Sequence, residues 1–139
     1  MFAGRHKDRL RRRLLLACLS RLSEGTGALR DVSLPELILC MRRVDERLEV
    51  GYQLTGKSAY SPTLVRHLEE LETRGLVRIV RLAHDAFMPK TFLLLTVGGR
   101  REANKAQSEM EPEAAAVVSE IAEHAREEAA SQWRIFARP

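Results

Sequence analysis

Residues that build metal centres, thiol frameworks and membrane spans are scarce in this sequence. It has two cysteines, Cys18 and Cys40, and four histidines, His6, His67, His84 and His124, none at zinc-ligand spacing. That excludes a Cys/His metal framework. Each cysteine lies inside an apolar segment and reads as a small core residue. The longest apolar run near the N-terminus, Leu14 to Leu19, is too short to cross a bilayer, and Ser20 and Arg21 follow it with no small-residue cleavage site. A cytoplasmic protein is expected.

Amides and lysines are also few. Asn104 is the sole asparagine, and lysine occurs only at Lys7, Lys57, Lys90 and Lys105, while arginine is abundant. The pattern fits a heat-adapted source or a GC-rich genome; in a hyperthermophile a Cys18–Cys40 disulfide would be permitted inside the cell. No nucleophile, base and acid occur together at a usable spacing, so neither an enzyme nor a cofactor is expected.

What is present is charge, unevenly spread. Residues 1–107 carry 20 basic and 12 acidic side chains, whereas residues 108–139 carry 3 basic and 7 acidic. A body at +8 and a tail at −4 suggest a polyanionic partner for the body. The length suits one domain, divided here into residues 1–107 and a C-terminal helix over 108–139.

Apolar spacing predicts a first helix over Asp8–Leu22, closed by Gly25. A second is predicted within Asp31–Val50, with Ser33 as N-cap, Pro35 and Glu36 in its first turn, and Leu37, Ile38, Cys40, Met41, Val44 and Leu48 on its buried stripe. Ser61-Pro62 opens a third, which Arg74-Gly75 ends. LVRIVRL (76–82) and TFLLLTV (91–97) read as two strands of a hairpin around the turn HDAFMPK. After Gly98-Gly99 comes a short helical stretch, RREANKA, and from Pro112 to Phe136 a long amphipathic helix. Its apolar side is rich in alanine and calls for a second helix to cover it.

GYQLTGKS (51–58) matches the phosphate-loop pattern letter for letter. Such a loop needs a strand before its glycines and a helix directly after them. Here VDERLEV reads as a helix end, and Pro62 delays the next helix well past Lys57. No strand ends in an acid placed to hold magnesium, so nucleotide binding at Gly51–Ser58 is not expected.

Leu71-Glu72, Gly75-Leu76-Val77, Arg78 and the phrase Leu95-Thr96-Val97-Gly98-Gly99 resemble the core of winged-helix transcription regulators, the PadR and MarR families in particular. The resemblance spans roughly residues 61–106 and is looser over 8–60. It implies a mainly α (α+β) winged helix-turn-helix with a β-hairpin wing and a long C-terminal dimerisation helix. The implied function is sequence-specific binding of double-stranded DNA by a homodimer that regulates transcription.

The residues support a mechanism on their own terms. With Leu64, Leu68 and Leu71 facing inward, the N-terminal half of the 61–74 helix offers Thr63, Arg66 and His67 to base edges and Ser61 to a phosphate. Lys57, Arg78, Arg81 and Lys90 would meet the backbone. Val118, Ile121, Ala125, Ala129, Trp133 and Phe136 are the expected dimer face. Against groove reading, Glu69, Glu70 and Glu72 leave that helix net negative. The alternative is a winged-helix adaptor that binds protein instead of DNA.

Overall fold

In a computed structural model the element order is α1 (Phe2–Ser23), β1 (Val32–Ser33), α2 (Leu34–Leu48), α3 (Pro62–Thr73), β2 (Val77–Leu82), β3 (Lys90–Leu95), α4 (Val97–Glu109) and α5 (Pro112–Ala137). The structure describes residues 2–24, 30–49, 52, 61–82 and 90–137, with side chains for 8–24, 30–49, 52, 61–81 and 91–128. The phosphate-loop lookalike, apart from Tyr52, and the hairpin turn 83–89 lie outside the described residues.

Helix α1 is the axis of the molecule. Every residue from Leu14 to Ser20 is buried, which a helix covered on one face only could not achieve. It packs against α2, α4, α5, β1 and β3. Ser23, at its C-terminal end, is also buried, and its Oγ donates to the Leu19 carbonyl at 2.6 Å.

Helix α2 begins as its sequence predicts. The Ser33 hydroxyl accepts the Glu36 N–H at 3.3 Å, and Arg30 pairs with Glu36 at the same end. At the other end Glu49 turns left-handed, φ 51°, while its N–H still reaches the Asp45 carbonyl. Leu37, Cys40, Met41 and Val44 are buried and Ile38 and Leu48 half-buried. Cys18 and Cys40 are buried free thiols. A side-chain hydrogen bond to Cys40, together with burial, raises the Cys18 thiol well above its usual range. A thiol held protonated is a poor nucleophile.

The sheet is antiparallel, in the order β1-β3-β2. Strand β3 pairs Val32 with Leu93 on one side, and on the other side Val77 with Leu95 and Leu82 with Lys90. Strand β1 was not anticipated. Two residues are too few to show an alternation, and Ser33 serves both as a strand residue and as the cap of α2.

Helix α4 starts at Val97, earlier than expected, because Thr96 caps it: its Oγ1 accepts the Gly99 N–H at 2.9 Å. Gly98 and Gly99 therefore lie inside the first turn instead of breaking the chain. Helix α5 lies along α1 and α2, with Val118, Ile121, Ala122 and Ala125 in the same buried cluster as the α1 and α2 leucines. Arg43 to Glu128 at 3.2 Å, and Arg126 to the Glu24 carbonyl at 3.1 Å, fix its register. The expected boundary at 107/108 falls inside α4.

Candidate nucleic-acid interface

The unit of interest is α3 and the hairpin that follows it. Ser61 caps α3, its Oγ accepting the Leu64 N–H at 3.2 Å and donating to the Tyr52 carbonyl at 2.8 Å. At the far end the Gly75 N–H reaches the Glu72 carbonyl (2.9 Å) and the Leu76 N–H reaches the Leu71 carbonyl (3.0 Å). Those two bonds form a Schellman turn, which requires a left-handed residue after the cap. Gly75 supplies it at φ 75°, and Leu71 and Leu76 are the buried apolar pair that accompanies such a turn.

The hairpin is locked to that turn by one side chain. Thr96 Oγ1 lies 2.8 Å from the Gly75 carbonyl and 3.0 Å from the Leu76 carbonyl, and the Thr96 N–H donates to the Leu76 carbonyl at 3.1 Å. The direction of strand β2, and hence of its arginines, is set at this junction.

The inward face of α3 is Leu64, His67, Leu68 and Leu71, spaced i, i+3, i+4, i+7. His67 is wholly buried, which corrects the expectation that it reads bases. Tyr52 Oη lies 2.9 Å from His67 Nδ1, and the rings meet edge to face at 5.7 Å. Burial drives the Tyr52 hydroxyl far above its ordinary pKa, outweighing the lowering by Arg11. Tyr52 therefore keeps its proton, and its hydroxyl shares a hydrogen bond with Nδ1.

Burial also lowers the pKa of His67, with Asp8 and Glu70 pulling the other way. The other ring nitrogen, Nε2, faces Asp8 Oδ1 at 3.6 Å and has no hydrogen-bond partner. This polar cluster welds the N-terminal part of α1, Tyr52 and α3 together. It is an internal structure, not a reading head.

Ser61 is likewise buried, at 3% exposure, with its hydroxyl committed to the cap and to Tyr52. It is not available to hold a phosphate. What remains outward on α3 is Pro62, Arg66, Glu69, Glu72 and Thr73, with Thr63 half-buried beside them. Arg66 is 57% exposed and lies 3.5 Å from Asp8 and 3.9 Å from Glu70. Exposed ion pairs at such distances hold weakly.

The acids of α3 are partly accounted for. Glu70 accepts from Arg12 of α1 at 3.0 Å. Glu72 accepts the Ile79 N–H at 3.3 Å, occupying a donor on edge strand β2. Glu69 stays exposed.

Arg78 and Arg81 are exposed on β2 and take part in no ion pair among the described residues. Lys57 and the Lys90 side chain lie outside the described residues, as do the side chains of Ala129, Trp133 and Phe136. Val118, Ile121 and Ala125, expected at a dimer interface, are 1%, 7% and 3% exposed within the single chain. As far as Ala125, the stripe of α5 is covered by α1 and α2 of the same chain.

Among the described residues no cluster of His, Cys, Asp and Glu could hold a metal, and no helix is long and apolar enough to cross a membrane. No family model, curated protein or solved structure matches the chain.

Proposed function

We propose that the chain is a sequence-specific, double-stranded DNA-binding regulator of transcription with winged helix-turn-helix architecture. Helix α3 enters the major groove and the β2–β3 hairpin acts as the wing. One observation carries the reading: α3, fixed at both ends, packs on a hairpin whose exposed Arg78 and Arg81 are free of ion pairs among the described residues. A rigid helix beside unneutralised cations is what phosphate contacts and groove entry require.

Base reading falls to Arg66, with Thr63 beside it. An arginine released from weak partners can pair bidentately with guanine O6 and N7. Arg78 and Arg81, with Lys57 and Lys90 from the sequence alone, take the phosphate role. In a homodimer the second copy is held beyond Glu128, where Ala129, Trp133 and Phe136 follow at helical spacing. Two α3 helices about 34–36 Å apart would then read a palindromic site.

The adaptor reading keeps one specific observation in its favour, the exposed Glu69 beside an Arg66 flanked by Asp8 and Glu70. Duplex binding by an Arg78→Gln/Arg81→Gln double variant separates the two. The DNA reading expects the salt slope of log K to fall by about two units; an unchanged slope removes the hairpin from the interface.

A further inference from the structure

A cavity of about 260 Å³ opens between α1, the α3–β2 turn and α4. The geometry points to a binding site for a compact polyanion there, a small molecule with closely spaced phosphate or carboxylate oxygens. The proposal does not depend on the DNA-binding reading.

Two helix faces and one turn build it. From α1 come Arg9, Arg12 and Arg13, from the end of α3 comes Arg74, and from α4 comes Lys105. Arg9, Arg12 and Arg13 recur at i, i+3 and i+4, so they share one side of α1. Leu16, one turn further on, and Ala106 of α4 are buried and close the floor.

Two acids, Glu102 and Glu109, share the rim, and Glu70 reaches Arg12 from beside it, so five cations meet three carboxylates and keep an excess of two positive charges. Arg13 is held by Glu109 at 2.9 Å, and Arg12 is drawn toward Glu70 at 3.0 Å. Arg9, Arg74 and Lys105 take part in no ion pair among the described residues. Cations gathered in a concavity without matching anions repel one another, and an anion with two or three negative charges removes that repulsion.

Concavity favours a small ligand over a duplex. A cavity just below the usual range of ligand-pocket volumes, with an apolar floor, encloses a compact ion on several sides, whereas a DNA backbone touches a convex rim. Guanidinium forks from several directions bind such oxygens bidentately.

The test is calorimetry on the full chain with pyrophosphate, citrate and orthophosphate as separate titrants. Saturable one-to-one binding of pyrophosphate or citrate, with orthophosphate weaker, is expected; which of the two binds tighter assigns phosphate or carboxylate chemistry. Lys105→Gln and Arg74→Gln should each weaken binding by roughly tenfold, while Arg47→Gln, an exposed change on α2, should not. Circular-dichroism melts check that each variant is folded. If neither polyanion saturates the chain, or if Arg47→Gln weakens binding as much as Lys105→Gln, the site is refuted. If neither polyanion binds but the Lys105 and Arg74 variants weaken duplex binding, the cluster is a backbone contact and the proposal is equally overturned.

Discussion

A Cβ placed on Gly99 would stand 1.9 Å from the carbonyl oxygen of Leu76 and 2.9 Å from a methyl of Leu95. The first turn of α4 is therefore packed directly on the backbone that joins α3 to β2, and only a residue without a side chain permits the approach. Together with the three contacts of Thr96, this gives the Leu-Thr-x-x-Gly phrase a physical role: Leu95 fills the core, Thr96 fastens the turn and caps α4, and Gly99 lets them meet.

Gly99→Ala is accordingly expected to destabilise the fold by about 3 kcal/mol, because the clash is with main chain that cannot swing aside. Chemical denaturation measures it. Gly98→Ala is the control, since its nearest neighbours lie at an ordinary 3.8 Å; the ranking fails if Gly98→Ala is the worse of the two.

Tyr52→Phe should cost about 1–3 kcal/mol, because it leaves Nδ1 of a fully buried His67 without its hydrogen-bond partner. Stability of this variant close to that of the unsubstituted chain would show that the bond contributes little.

His67 also makes stability depend on pH. Its folded pKa is lowered, chiefly by burial, so below the unfolded value of about 6.5 the unfolded chain binds the extra proton and stability falls as pH drops. The ring is faced by Asp8 and Arg12 of α1, and by Arg66 and Glu70 of α3. The loss between pH 7.5 and 5.5 should be smaller in His67→Gln than in the unsubstituted chain. Equal losses would assign the pH dependence to other groups.

Ala125 is 3% exposed, so Ala125→Leu is expected to destabilise the folded chain by about 1–3 kcal/mol through overpacking. Light scattering should give it an unchanged mass. A change of mass at unchanged stability would return this residue to an intersubunit surface.

Much of the fold was legible in the sequence because its signals are local. Ser33 and Ser61 as caps, Gly75 as the left-handed end of α3, and the two strands after it each follow from residues within one turn. The failures are those where a partner decides. His67 stands within the i, i+3, i+4, i+7 stripe of α3, a spacing that marks it as inward; an imidazole equally suits a base edge, and Tyr52, 15 residues away, is what satisfies it inside. The stripe of α5 announced a covering helix but not whose helix it was. Arg12 and Arg13 bridge to Glu70 and Glu109, 58 and 96 residues away, partners that no local spacing can name.

Arg66 carries the specificity claim. Arg66→Ala should relax preference at one position of the site and cost about 1–3 kcal/mol on cognate DNA. Selection from random duplexes with the unsubstituted chain, followed by affinities for both proteins, measures it. An unchanged ratio of cognate to random affinity would remove Arg66 from base reading.

The most direct test of the central claim is fluorescence anisotropy of the full chain with a mixed-sequence duplex over a series of salt concentrations. DNA binding predicts a linear fall of log K with log salt and a slope of several units, each unit a phosphate neutralised. No binding even at low salt would contradict it, and the outward edge of α3 would then be a surface for a protein partner.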